Sequence, residues 1–288
     1  MKKILITGTS SYIGTSFEKW ISQYPNLYSV EFISLRDNDW KEISFSKYDV
    51  IFHTAAIVHI SEKNKEEYAK VNRDLSFEVA KKAKNEGVTQ FVFFSTMGIY
   101  GTETGEITKD TIPMPKTLYA QSKYEAEKLL MGINSANFKV AIVRPPIVYG
   151  KGCPGNYARL EKLASILPIF PDINNERSMI YIDNLSEFSR ILIDNAQSGI
   201  YFPQNENYVN TTDLVKKIAK YQRKNIRVTK NFNYIIFLGL KISGTVRKIF
   251  GSLIYDKRIN GGPEMDTAEI SMNYETVSFE ESIKKTIL

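Results

Sequence analysis

Met1-Lys-Lys-Ile-Leu-Ile-Thr-Gly8 opens the chain as an apolar run that stops at glycine, and Thr-Ser-Ser-Tyr12-Ile13-Gly14 carries it into a helical pattern. A strand, a tight turn and a helix N-terminus in that order form a cradle for a dinucleotide pyrophosphate, because the turn lets backbone N–H groups approach the phosphates. Working outward, further strands are read near 28–34, 49–56, 89–95 and 138–143, with helices near 12–23, 63–86 and 118–133. Alternation of this kind implies a parallel sheet with helices on both faces. The expected fold class is therefore α/β, a Rossmann doubly wound parallel sheet. Gly87 is a stop signal for the helix before it. The connection from Arg36 to Tyr48 is too short for a full strand and a full crossover helix, so one element there is expected to be vestigial.

Beyond Gly150 the texture changes to Lys151-Gly-Cys-Pro-Gly-Asn156, followed by Pro168 and Pro171 around a short apolar segment. Residues 1–150 are expected to form the dinucleotide-binding domain, joined by part of 178–205. Residues 151–288 are expected to form a smaller, irregular α/β substrate lobe.

Tyr119-Ala-Gln-Ser-Lys123 sets a phenol and an ammonium four residues apart at the start of a helix. Positions i and i+4 share a face, so the lysine can favour the ionised phenol and make Tyr119 a proton-transfer group. Alone the pair is common on solvated helices. Its context is Phe91-Val-Phe-Phe-Ser95, an apolar run ending at Thr96, since strand ends of an open parallel sheet gather catalytic hydroxyls.

With 43% hydrophobic and 24% charged residues, the composition is that of an ordinary soluble globular protein. The lone Cys153 excludes an intramolecular disulfide framework. Met1-Lys-Lys runs directly into a short strand, so no secretory leader is expected and a cytoplasmic location is. A net charge of +6 is spread among 32 acids, which suits anionic small molecules better than nucleic acid. Asn231-Phe-Asn-Tyr-Ile-Ile-Phe-Leu-Gly-Leu-Lys241 is strongly apolar but too short to span a bilayer. It is read as a buried helix or dimer contact, in preference to peripheral membrane contact. His53 and His59 lack metal-ligand spacing, and no metal is expected.

With these residues in place, the chain resembles the extended short-chain dehydrogenases/reductases, specifically the nucleotide-sugar epimerases, dehydratases and reductases. Thr7-Gly8 to Gly14 is similar to TGxxGxxG, Ser95-Thr96-Met-Gly-Ile-Tyr100-Gly101 to SSxxVYG, and Arg144-Pro-Pro146-Ile-Val-Tyr149-Gly150 to RxxxxYG. Arg177-Ser-Met-Ile-Tyr-Ile-Asp183-Asn-Leu is similar to the RSxVYVDNL of the UDP-galactose 4-epimerase-like branch. Two positions depart from the pattern. Ser11 stands at the middle glycine, and Ile147 stands where many members carry an asparagine that touches UDP.

The resemblance implies a catalytic set of Thr96, Tyr119 and Lys123, with Thr96 positioning the sugar oxygen and Lys123 also reaching the nicotinamide ribose. For the cofactor it implies Gly8, Ser11, Tyr12, Ile13, Gly14, Ala55, Ala56, Asn72 and Pro146, besides Tyr119 and Lys123. For the substrate it implies Asn156, Tyr157 and Arg177, the last on the pyrophosphate through its planar guanidinium. Ser34-Leu-Arg36-Asp37 offers no acid in the usual ribose-binding slot, so Arg36 favours NADP(H), while Asp37 keeps NAD(H) open. The implied activity is at carbon 4 of a UDP-sugar in surface-polysaccharide synthesis, as a reductase of a UDP-4-keto-6-deoxy-N-acetylhexosamine or as a UDP-glucose or UDP-N-acetylglucosamine 4-epimerase. Dehydratase chemistry fits less well, because Met97 and Gly98 replace an Asp-Glu pair. A non-catalytic NADP-sensing regulator is the alternative of another class. A homodimer is also implied, through the helices near 63–86 and 118–133, with Phe77, Val79 and Met131 on their outer faces.

Overall fold

A computed structural model describes residues 1–58, 64–259 and 273–288. In chain order the strands are β1 (Lys2–Thr7), β2 (Tyr28–Ile33), β3 (Val50–His53), β4 (Gln90–Phe94), β5 (Gly105–Ile107) and β6 (Lys139–Val143). Six shorter ones follow: β7 (Ile147–Tyr149), β8 (Ile169–Pro171), β9 (Met179–Tyr181), β10 (Gly199–Tyr201), β11 (Arg227–Thr229) and β12 (Leu253–Tyr255). The helices are α1 (Tyr12–Ile21), α2 (Lys65–Tyr68), α3 (Ser76–Asn85), α4 (Leu118–Met131) and α5 (Asn156–Ile166). They continue as α6 (Ile182–Asp194), α7 (Thr211–Tyr221), α8 (Asn233–Ile242), α9 (Gly244–Phe250) and α10 (Phe279–Ile287).

The main sheet has six strands in the order β10-β6-β4-β3-β1-β2, all parallel. Its central strands are continuous apolar runs, as burial on both faces requires, with Phe91, Val92 and Phe93 at 0% exposure. The chain leaves β1 for the edge strand β2 and then crosses back to β3. The strand order therefore reverses between β1 and β3, and their carboxyl ends open a crevice there.

Between β2 and β3 only a single 3₁₀ turn at Asp39–Lys41 stands where a crossover helix would, held by buried Trp40. This is the vestigial element expected from the short connection. The helix read near 63–86 is broken: α2 passes through a π-helical segment, Ala69–Leu75, into α3. Gly87, at φ +84°, ends α3, with Gly87 N donating to Lys84 O at 3.2 Å and Val88 N to Ala83 O at 3.0 Å.

Residues 182–201 return to the sheet, since α6 packs on α1 and β10 pairs with β6. The rest of the second half builds two-stranded ladders, β8 with β11, β9 with β7 and β12 with β5. Two expectations are corrected. Val79 is fully buried, because it lies on the sheet side of α3. The 231–241 segment forms α8, which has no buried residue and lies against α9 on the outside of the fold. Among the described residues no helix is long and apolar enough to cross a membrane.

Arg144, just after β6, ties this layer to α4. Its Nε and Nη2 meet the Glu127 carboxylate at 3.1 and 2.6 Å, and its Nη1 donates to Tyr100 Oη at 2.9 Å. Both side chains are nearly inaccessible, at 7% and 3% exposure. Removing one partner leaves a buried charge uncompensated, so Glu127→Ala should destabilise the fold by about 3–5 kcal/mol. Urea unfolding of the two proteins measures it.

Candidate active site

The site forms at the carboxyl ends of β1, β3 and β4. Gly8 follows β1 at φ +94°, and a Cβ there would lie 3.0 Å from the backbone N and Cα of Ala55. Glycine is thus required twice over, for the turn and for the close approach of the two strand ends. Gly14 serves packing: a Cβ would lie 2.9 Å from Ile6 Cγ2 and from Thr54 Oγ1. As the first helical residues of α1, Tyr12 and Ile13 carry N–H groups that helix geometry leaves without an intrahelical acceptor. A dinucleotide pyrophosphate fits this cradle. Ser11 modifies it, because its hydroxyl caps α1 by accepting from Gly14 N at 3.2 Å. One donor that a bound phosphate could use is therefore satisfied by the protein itself. The Tyr12 hydroxyl is buried without a partner among the described residues.

At the ribose-recognition end, Leu35 is drawn into the core beside Trp40 and Phe45, while Arg36 stays exposed. Arg36 makes no ion pair among the described residues. No acid occupies the end of β2.

Asn72 lies in the π-helical segment, fully buried. It accepts from Ile57 N at 2.9 Å, and its Nδ2 donates to Ile57 O at 3.0 Å and to Ser122 Oγ at 3.1 Å. It therefore clamps the segment after Ala55 and Ala56 to α4. His53 is a core residue, hydrogen-bonded to Thr7 Oγ1 and Ser76 Oγ at 2.9 Å each, and burial pushes it down to about 3. His59 lies outside the described residues. No group of three or more metal-ligating side chains occurs among those described.

Thr117 caps α4 by accepting from Ala120 N at 3.2 Å, which sets Tyr119 on the first turn. Thr96 lies two residues past β4 and caps the 3₁₀ turn Met97–Tyr100, its hydroxyl accepting from Gly98 N at 3.0 Å. The turn it caps packs on α4 next to Tyr119: a Cβ on Gly98 would lie 3.4 Å from Thr96 Oγ1 and 4.0 Å from Ala120 Cβ. Lys123 is 2% exposed, and its Nζ rests 4.4 Å above the Phe93 ring. Thr96 and Lys123 thus lie where β4 meets α4, Tyr119 stands on the first turn of that helix with its ring 6.5 Å from the Tyr68 ring, and Pro146 is buried on the adjacent connection.

The electrostatics differ from the sequence expectation. Burial, with the neighbouring Tyr68 second, raises the Tyr119 phenol to about 12, so Lys123 does not lower it in the free protein. Burial also lowers Lys123 to about 7, opposed by Glu127 one turn further along α4. Desolvation outweighs the i,i+4 attraction on which the expectation rested.

A second cleft lies in the other half. Asn156 and Tyr157 at the start of α5, Arg177, and Lys248 and Ile249 of α9 line one pocket with Ile147. Arg177 is 6% exposed. Its Nη1 donates to Gly251 O at 2.7 Å, while its Nε is buried without a partner among the described residues. Among the described residues no carboxylate pairs with it. Burial lowers it to about 10. Tyr157 is fully buried and stacks on Tyr149 at 5.2 Å, so it shapes the wall. Cys153 is buried in the core beside it.

Sequence reasoning missed Glu127, the Asn72–Ser122 bridge and Lys248. Glu127 could have been suspected as the acid four residues after Lys123. The other two depend on tertiary contacts alone.

The fold and this double cleft define an α/β enzyme that handles a dinucleotide at the switch point of its sheet. The chain belongs to the NAD dependent epimerase/dehydratase family, whose model matches residues 4–202. It is 28% identical over 246 residues to a UDP-glucose 4-epimerase of Vibrio cholerae, covering 76% of this chain and 75% of the relative. It is 25% identical over 232 residues to an N-acetyl-alpha-D-glucosaminyl-diphospho-ditrans,octacis-undecaprenol 4-epimerase of Escherichia coli O157:H7, covering 73% and 68%. Among solved structures, UDP-glucuronic acid 4-epimerase from Bacillus cereus in complex with NAD superposes with a TM-score of 0.74 at 18% identity, over 99% of this chain and 95% of that one. A dTDP-4-dehydrorhamnose reductase from Bacillus anthracis in complex with NADP gives 0.71 at 20% identity, over 99% of both chains.

The lysine gives a pH test. Its folded value of about 7 lies below the ordinary 10.5. Between these values the unfolded chain binds the extra proton, so stability rises with pH. Lys123→Met should therefore be more stable than the wild-type protein near pH 7, with the gap closing toward pH 10. Urea unfolding at several pH values measures the difference, which cancels the titration of all other groups.

Proposed function

We propose that the protein is a nicotinamide-dependent enzyme acting at carbon 4 of a UDP-sugar, and that its reaction is reduction of a UDP-4-keto-6-deoxy-N-acetylhexosamine in surface-polysaccharide synthesis. The observation that carries the reductive direction is Arg36, exposed just after β2 with no acid in the usual ribose-binding slot, which supports an NADP(H) consumed at each turnover. Tyr119 supplies the acid. A protonated phenol is suited to donate to the oxygen on carbon 4 as the carbonyl is reduced. The nicotinamide, when bound, supplies the two-electron reduction at that carbon. Thr96 holds the same oxygen. Lys123 orients the ribose and, when charged, eases proton transfer from Tyr119. Arg177 and Asn156 take the diphosphate.

Arg36, exposed after a β2 that ends without an acid, supports NADP(H), while Asp37 beside it keeps NAD(H) open. A reductase must exchange its cofactor at every turnover, and Arg36 gives a readable handle on that exchange. The homodimer belongs to this reading by family resemblance, with Phe77 and Met131 as the half-buried candidates on α3 and α4.

A second reading is a 4-epimerase that retains its cofactor, favoured by the two curated relatives, both 4-epimerases. The two are separated by giving purified protein the 4-keto substrate with NADPH and following loss of reduced-nicotinamide absorbance. Consumption of NADPH is expected, with Tyr119→Phe lowering kcat by about 10²–10⁴-fold at unchanged cofactor affinity. Arg36→Ala should weaken NADPH by about 1.5–3 kcal/mol and NADH little. Tightly retained NAD with interconversion of UDP-glucose and UDP-galactose, without added cofactor, would establish the epimerase instead.

Arg177→Ala should weaken substrate by about 1.5–3 kcal/mol, with less effect on the cofactor. Isothermal titration with UDP reads this. Unchanged affinity would return Arg177 to holding the Gly251 backbone alone.

A further inference from the structure

The hairpin α8–α9 inverts the usual amphipathic rule. Tyr234, Ile235, Phe237, Leu238 and Ile242 are 73, 64, 55, 46 and 84% exposed, and their spacing makes one outward apolar face. The hairpin is not loosely attached. Gly239 allows close packing on α9, where a Cβ would lie 3.1 Å from both Val246 methyls. Asn233 Nδ2 donates to Asp172 O at 2.9 Å, and Arg247 Nε meets Glu103 at 2.7 Å. The face is thus held out by the fold.

Charge chooses its occupant. Between Asp213 and Asp256 the chain has no acidic residue and ten basic ones. The basic residues are therefore less evenly spread than the whole-chain balance suggests. Arg223, Lys224, Arg227, Lys230 and Lys241 are exposed and make no ion pair among the described residues. A second copy of the chain would bring these five cations, which have no acid beside them, toward five more of the same sign. Nucleic acid would use the bases but leave Ile235, Leu238 and Ile242 in water.

We infer that α8, with the basic residues flanking it, docks the protein on an anionic lipid surface. At about 15 Å the helix cannot span the hydrocarbon core, so it lies in the interface with its apolar face among acyl chains and its lysines at the headgroups. This reverses the sequence reading of a buried helix, and it does not depend on the reaction proposed above.

The test is co-sedimentation of the full chain with vesicles of phosphatidylcholine alone or with about 30% phosphatidylglycerol. Binding to the anionic vesicles is expected to be at least about tenfold tighter, and to fall with salt. Ile235→Asp with Leu238→Asp should lose at least about tenfold of it, and Lys230→Glu with Lys241→Glu should remove the preference for anionic lipid. All four positions are exposed, so thermal unfolding midpoints close to wild type confirm folded variants. Wild-type protein left in the supernatant at low salt would overturn the inference. So would an apolar variant that sediments as well as the wild type. A variant that turns dimer into monomer, with no vesicle binding by either protein, would assign the face to a second copy.

Discussion

The buried Arg144–Glu127 pair is the constraint on which the site depends. Glu127 lies one turn after Lys123 and two after Tyr119, so a fork of hydrogen bonds from the end of β6 fixes the rotation of the helix that carries the proposed chemistry. Two charges removed from water repay their desolvation only when geometry and further hydrogen bonds are good. Tyr100 on the guanidinium, and the Tyr255 hydroxyl donating to Arg144 O at 3.0 Å, supply those further bonds. The same carboxylate is the nearest force restoring charge to Lys123. One ion pair thus sets both the position of α4 and the electrostatic balance of its lysine.

Burial decides the state of the catalytic candidates more than proximity does. The sequence places an ammonium and a phenol one turn apart, and Coulomb attraction in water-like surroundings would favour the ionised pair. In the folded chain both groups lie in low-dielectric surroundings, and each moves toward its neutral form. The Lys123 Nζ rests over the Phe93 ring, which belongs to the buried centre of β4.

The parallel sheet was legible because its strands are apolar runs closed by turn residues, a period that survives any tertiary detail. Gly8 and Gly14 were legible for the same local reason, since each answers to a backbone requirement that only glycine meets. The missing crossover between Arg36 and Tyr48 could be read from length alone. The π-helical break at Asn72 could not, because it arises when one buried amide satisfies Ile57 and Ser122 at once, 15 and 50 residues away. Val79 was placed on the wrong face because a continuous helix had been assumed through that break. Arg144 and Glu127 were invisible as a pair, being 17 residues apart on different elements. For α8, hydropathy showed an apolar helix but not the side from which it would be covered, and burial was the wrong default.

That misreading has a structural consequence for the pocket. Lys248 and Ile249 of α9 form part of the wall around Arg177, and Arg177 donates to Gly251 at the end of the same helix. Because α8 packs directly on α9, whatever seats α8 also seats this wall. A hairpin held in a headgroup layer would lie beside the Arg177 pocket and bring Lys248 with it, whose Nζ is 3.7 Å from the Glu103 carboxylate that also anchors Arg247. Glu103 therefore joins the loop after Tyr100, on the dinucleotide side, to the helix that walls the second pocket. The Glu103 pairs thus connect that loop to the hairpin whose other helix carries the exposed apolar face.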